Sequence, residues 1–169
     1  MTTSEVTGSL SDRSVLLSLQ ELTEDIGPAD GADTPSDSNE AQSLVTALLA
    51  AGAAPATTPE IAAMPEEQCL DAARRLLAHL ARDPDTAERT RAVLADPPAD
   101  EQMSVETAIT GAVVLGALVA WLQTKVDIKI SRKDGRSQFE FRLTKNPTSP
   151  GALRDLAATV TRMLQGPPQ

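Results

Sequence analysis

Cys69 and His79 are the only thiol and the only imidazole in this chain of 169 residues, and they lie ten positions apart. On one helix that spacing separates them by roughly 15 Å along the axis, whereas a nucleophile and its base need hydrogen-bond reach. A Cys–His catalytic couple is therefore excluded, and one cysteine with one histidine cannot furnish a structural zinc site. Cys69 reads as a core residue and His79, beside Leu76 and Leu80, as a helix-surface or boundary residue. The next candidates are Glu66, Glu67 and Asp71, as paired carboxylates for general acid–base work. They fall in the first turns of a helix, where acids favour the positive end of its dipole, and nothing nearby supports a second role. Tyrosine is absent, and no Gly-rich loop follows a strand to cradle a phosphate. No catalytic residue, cofactor or metal is expected, and the chain does not read as an enzyme.

The remaining chemistry is recognition by charge. Lys125, Lys129, Arg132, Lys133, Arg136, Arg142 and Lys145 gather seven bases against Asp127, Asp134 and Glu140, in a chain whose net charge is −9. Residues 1–40 balance at −8, residues 41–100 at −4 and residues 101–169 at +3. An acidic front can act as a solubilising leader, or shield the basic segment and compete with an acidic partner for it. Nucleic-acid binding calls for a broader basic surface and exposed aromatics, so no nucleic acid is expected. The docking residues predicted for a protein partner are Arg132, Lys133 and Arg136, with Lys129 and Arg142 beside them.

A hairpin positions these bases. Asp134-Gly135 has the composition of a type I′ turn, and counting outward pairs Ile130 with Phe139, Lys129 with Glu140, Ile128 with Phe141, Asp127 with Arg142 and Val126 with Leu143. One face is wholly apolar, and the other carries two opposite-charge pairs contributing roughly 0.2–1 kcal/mol each. A slip of one residue would turn the apolar set toward water. A lone hairpin is unstable, so the flanking helices, over Thr107–Leu122 and Ser149–Gln165, are expected to cover that face. Ser104 and Ser149 are their expected N-caps, Asn146-Pro147-Thr148 the loop before the second, and Gly166-Pro167-Pro168 its stop.

The run Thr107–Leu122 carries no charge and repeats small residues at Ala108, Ala112, Gly116 and Ala120, a ridge that admits a close backbone. As a membrane span its sixteen residues reach roughly 24 Å, short of a hydrocarbon core of roughly 30 Å. The leading reading is a buried helix. The alternative is a membrane-anchored accessory protein in which residues 107–122 form a short transmembrane helix, associated with an inner membrane.

Upstream, Val15, Leu19, Leu22 and Ile26 share a helical face, with Asp12 as N-cap and Gly27-Pro28 as stop; alternation of Val15, Leu17 and Leu19 leaves a short strand as the competing reading. Residues 29–39 lack large apolar side chains and read as a flexible linker. Leu44, Val45, Leu48 and Leu49 predict a helix from about Glu40 to a stop at Gly52, followed by an Ala-Pro-Thr loop. Pro65 suits the start of the next helix, whose apolar face is Cys69, Leu70, Ala73, Leu76, Leu77 and Leu80. Its arginines Arg74 and Arg75, with Arg82, are expected in water. Asp83-Pro84 should cap and begin a further helix ending at Asp96-Pro97-Pro98.

The expected fold class is α+β, mainly helical: a helical bundle followed by a helix–β-hairpin–helix module. The expected divisions are residues 1–39 as acidic leader with one short helix or strand, 40–100 as a small helical bundle and 101–169 as the hairpin module. With aromatics at 2% of residues, the core must be Leu, Val, Ile and Ala, which favours close-packed helices over a ring-walled pocket. The N-terminus lacks the pattern of a secretory signal, which makes a cytoplasmic location the expectation.

The stretch GAVVLGALVAWLQTKVDIKISRKDGRSQFEFRL, followed by a helix beginning at Ser149-Pro150, resembles the small effector-associated constant components of bacterial conflict and signalling systems. These also show a hydrophobic helix, a basic Asp-Gly hairpin and a closing helix. The resemblance covers residues 104–165, with the first hundred residues outside it. It implies an accessory, non-enzymatic protein linking an effector to other components. The docking surface is expected at a hairpin edge or at the basic tip, with a homodimer joined edge to edge as a further expectation.

Overall fold

The computed structural model describes residues 3–27, 33–52, 60–98, 107–143 and 150–166. The expected caps Ser104 and Ser149, the loop at 146–148, Pro167-Pro168, Lys145 and most of the loop after Gly52 lie outside these residues.

Helices form where apolar spacing calls for them. Helix α1 (Thr3–Ser9) precedes α2 (Asp12–Ile26), and α1 is too short to show a stripe in the sequence. In α2 the helical reading prevails over the strand, because Val15, Leu19 and Leu22 all point into the core. Its cap is Ser11 rather than Asp12: the Ser11 hydroxyl accepts from the Ser14 N–H at 3.1 Å. Gly27 ends it at φ 48°, a conformation that favours glycine. Helix α3 (Ser38–Ala51) starts slightly earlier than predicted, since the Asp37 carboxylate accepts from the Glu40 N–H at 2.8 Å.

A 3-10 turn at Ile61–Ala63 leads into α4 (Glu66–Leu80). Cys69 is buried there, its thiol directed at the Ile61 carbonyl at 3.6 Å, and burial raises the thiol's pKa above its usual range, with Glu66 adding to the effect. Helix α5 (Ala87–Ala95) begins at Ala87, not at Pro84. The reason is tertiary: Asp83 is drawn to Trp121 and Lys125, about forty residues further along the chain, and the Thr86 hydroxyl donates to the Leu80 carbonyl at 2.7 Å, holding the segment as a turn.

Helix α6 (Thr107–Lys125) is the central element. It packs against α2, α3, α4 and the 3-10 turn, burying Leu115, Leu118, Trp121 and Leu122. Its lack of charge is thus explained by neighbours on several sides. Among the described residues no helix is long and apolar enough to cross a membrane, which removes the alternative of a transmembrane segment at 107–122. The ridge residues Ala112, Gly116 and Ala120 line a groove of about 350 Å³ beside the Thr34–Ser38 segment.

Strands β1 (Val126–Lys133) and β2 (Arg136–Leu143) pair antiparallel in the predicted register, from Val126 opposite Leu143 to Lys133 opposite Arg136. Asp134 and Gly135 both have positive φ, 55° and 73°, as a type I′ turn demands. The closing helix α7 (Pro150–Gln165) packs on α3 and α4. The hairpin is covered by α6 along β1 and by α3 along β2, a correction to the expected cover by the last helix. One apolar cluster runs from Val15 on α2 to Leu164 on α7, and the chain is a mainly helical α+β fold.

Close packing of α7 on α3 depends on Gly52. A Cβ there would collide with the Ala157 side chain and sit 2.9 Å from the Leu153 carbonyl oxygen. Gly52 does end α3, yet its φ is −83°, so it is glycine for want of space and not for backbone freedom.

Candidate functional site

The predicted docking residues separate into three groups once folded. Arg132 is held within the chain. Its Nε donates to Glu40 Oε1 at 2.8 Å and its Nη2 to Glu40 Oε2 at 2.9 Å, a two-pronged pair, while Nη2 also reaches the Thr34 carbonyl at 3.0 Å. Ser137, the cross-strand partner of Arg132, donates its hydroxyl to Glu40 Oε1 at 2.7 Å, and the Ser36 N–H donates to Oε2 at 2.6 Å. Glu40 is 7% exposed and sits in the first turn of α3, where the dipole favours its charge. Hydrogen bonds from Arg132, then from Ser137 and Ser36, hold its carboxyl well below the usual carboxylate range. Arg132 is correspondingly raised by Glu40. This clamp fastens the turn end of the hairpin to α3.

Lys129 and Arg142 stand exposed opposite Glu140 and Asp127 on the outer face, so opposite charges face each other there. Lys133 and Arg136 are exposed register partners beside the turn. Like charges directly opposite one another oppose folding, and the pair concentrates positive charge at the tip.

The two edges of the hairpin differ. In a hairpin closed by a two-residue turn, alternate residues send their main-chain groups away from the partner strand; these are Ile128, Ile130 and Arg132 on β1, and Ser137, Phe139 and Phe141 on β2. The outward N–H of Ile130 is taken by Asp33, whose Oδ2 accepts it at 2.8 Å, and the Asp33 carbonyl accepts from Gln123 Nε2 at 2.9 Å. With Arg132 bound to Thr34, the segment after residue 32 caps the β1 edge. Among the described residues no such cap meets the Phe139 or Phe141 N–H. The apolar face follows the same division: Val126, Ile128 and Ile130 are buried, whereas Phe139 and Phe141, the chain's only phenylalanines, are half-buried.

A second polar centre lies inside the bundle, unnoticed in the sequence. Asp83 Oδ1 accepts from Lys125 Nζ at 2.8 Å and Oδ2 from the Trp121 indole at 3.0 Å, and His79 meets the Trp121 ring edge to face with centroids 4.9 Å apart. The signal for it was Lys125, the one charge closing an uncharged helix, which needs a partner. Glu40 and Asp33 carried no such signal, because a carboxylate in a polar segment is indistinguishable from a solvated one. Glu66, Glu67 and Asp71 are exposed along α4. Among the described residues no cluster of three or more His, Cys, Asp or Glu could hold a metal ion.

The arginines expected in water are also engaged. Arg74 donates to the Thr7 and Leu10 carbonyls and pairs with Asp12 at 2.7 Å, and Arg75 donates to the Met163 and Leu164 carbonyls at 2.8 and 3.0 Å. Two neighbouring side chains on α4 thus satisfy carbonyls at the ends of α1 and α7, which helix geometry leaves unpaired.

No curated protein and no solved structure matches this chain. A family model, Effector Associated Constant Component 1, matches residues 65–161, more than half of the chain and reaching back through α5 and α4 beyond the hairpin module. A central uncharged helix, an Asp-Gly hairpin and the helices packed around them are the folded content of that match, and the chain belongs to the Effector Associated Constant Component 1 family.

Proposed function

We propose that this protein is a non-catalytic accessory component of an effector system, and that it binds another protein by adding an extended segment of that partner to the outer edge of β2. The observation that carries this reading is the unequal treatment of the two edges: Asp33 caps Ile130 on β1, while Phe139 and Phe141 on β2 stay half-buried with outward main-chain groups. A two-stranded sheet gains from a third strand, and strand addition supplies affinity through main-chain hydrogen bonds. Lys133 and Arg136 at the tip suit an acidic residue on the incoming segment. Membership of an effector-associated family supports association with other proteins.

The test is binding to the effector proteins encoded beside this chain's gene, followed by calorimetry and by amide exchange. Complex formation should slow exchange at Phe139 and Phe141, and the double variant K133E/R136E should weaken binding by about tenfold or more. Binding that leaves both amides unprotected would overturn the assignment to β2. A doubled mass in light scattering, with the same amides protected in the free protein, would give the edge to a second copy instead.

A further inference from the structure

The outer edge of β2 offers an ordered set of charges as well as main-chain groups. Side chains alternate between faces along a strand, so Ser137, Phe139 and Phe141 share the inner face while Arg136, Gln138, Glu140 and Arg142 stand exposed on the outer one. From the far end of β2 toward the turn the outer face runs base, acid, neutral, base, and Lys133 adds a cation opposite Arg136. Among the described residues none of Lys133, Arg136, Glu140 and Arg142 is closed in an ion pair.

The hairpin's own register is a competing explanation for this order. Asp127 lies opposite Arg142 and Lys129 opposite Glu140, so two of the charges also serve the pairing with β1. Arg136 does not, because its partner Lys133 is a like charge that opposes pairing. A strand between two neighbours meets a cross-strand partner on each side, and an opposite charge stabilises from either side. The order on β2 therefore selects among incoming strands. A second copy of β2 fits it poorly: the strand holds one carboxylate, Glu140, which a copy can set opposite Arg142 or opposite Arg136 but not both. Direction follows from exposure. Parallel sheets are covered on both faces, whereas the outer face here is in water.

We infer that the segment taken up by β2 is an antiparallel strand of a partner protein with an acid, a base and an acid at its first, third and seventh positions, opposite Arg142, Glu140 and Arg136. Its second and fourth positions are apolar and lie beside Phe141 and Phe139. This rests on the proposed use of the β2 edge and adds the order and direction of what binds there.

The probe is a peptide with blocked ends, Glu-Val-Lys-Val-Thr-Thr-Glu, added to the full chain at millimolar concentration and low salt. Its comparison has the same composition with the first acid and the base exchanged, Lys-Val-Glu-Val-Thr-Thr-Glu. The first peptide should slow amide exchange at Phe139 and Phe141 and bind about tenfold more tightly than the second, a gap that narrows as salt is raised. The variant Glu140→Gln/Arg142→Gln should bind the two alike, with unchanged Trp121 fluorescence verifying its fold. Equal binding of both peptides by the parent chain would overturn the charge order, and tighter binding of the reversed sequence Glu-Thr-Thr-Val-Lys-Val-Glu would overturn the direction; either result leaves β2 as the docking edge. Exchange at Phe139 and Phe141 unchanged by every peptide would overturn the use of that edge, and this proposal with it. The same amides protected in a free chain of doubled mass would assign the edge to a second copy and overturn the proposal.

Discussion

The indole N–H of Trp121 donates to Oδ2 of Asp83 at 3.0 Å, tying the central helix to the turn between α4 and α5. Asp83 is 8% exposed and its other oxygen accepts from Lys125, which also reaches Asp85 at 2.6 Å. Asp83→Ala would leave the buried indole N–H unpaired and remove the ammonium's inner partner. A loss of about 3 kcal/mol is expected, read as a lower urea midpoint in Trp121 fluorescence. Asp83→Asn retains an acceptor for the indole and should lose less.

Acidification should weaken the fold in two stages. Burial alone would raise Asp83, but hydrogen bonds from Lys125, the Asp85 N–H and Trp121 outweigh it and hold the carboxyl below its ordinary 3.8. Glu40 is held below its ordinary 4.5, chiefly by Arg132. For both, the unfolded chain takes up the proton first, so their stabilisation is complete above the carboxylate range and is lost as pH falls through it. His79 is lowered from 6.5, so the unfolded imidazole also protonates first and the earlier loss begins as pH falls below that value. Urea midpoints measured across the range would show both stages, and His79→Gln should abolish the first.

Gly52→Ala tests the contact between α3 and α7. The added methyl meets the Ala157 side chain and the Leu153 carbonyl, so α7 must shift outward, at a cost of roughly 1–3 kcal/mol. Thermal unfolding by circular dichroism gives the size of the effect. Helix propensity alone predicts the opposite sign, because alanine is the better helix former.

What could be read ahead of the structure was whatever depends on local chemistry. The hairpin register follows from Asp134-Gly135 and alternation, and the burial of α6 follows from its lack of charge. The partners of polar groups were another matter, since they are chosen across long separations. Arg132 looked available because nothing near it in sequence is acidic except Asp134, yet Glu40 reaches it from α3. Arg75 lies off the apolar stripe of α4, and only the arrival of α7 gives it carbonyls to bind. Gly52 could be recognised as a helix end, but its crowding by Ala157 is invisible until α7 is in place.

The cap on the β1 edge rests on one carboxylate. Asp33 accepts from the Ile130 N–H at 2.8 Å, and Gln123 fixes the Asp33 main chain from α6. Exposed strand edges invite pairing with another chain, and a charged residue placed against the edge is one way of preventing it. Asp33→Ala removes the acceptor without touching the hairpin's ladder or its apolar face. The Ile130 amide should then exchange faster, while the Lys129 and Ser131 amides, which point into the ladder, keep their protection. Because the β1 edge has then lost the acceptor on Ile130, the variant should also show a concentration-dependent rise in mass by light scattering, absent at the same concentration in the parent. Unchanged exchange at Ile130 would mean that Asp33 does not guard the edge in solution.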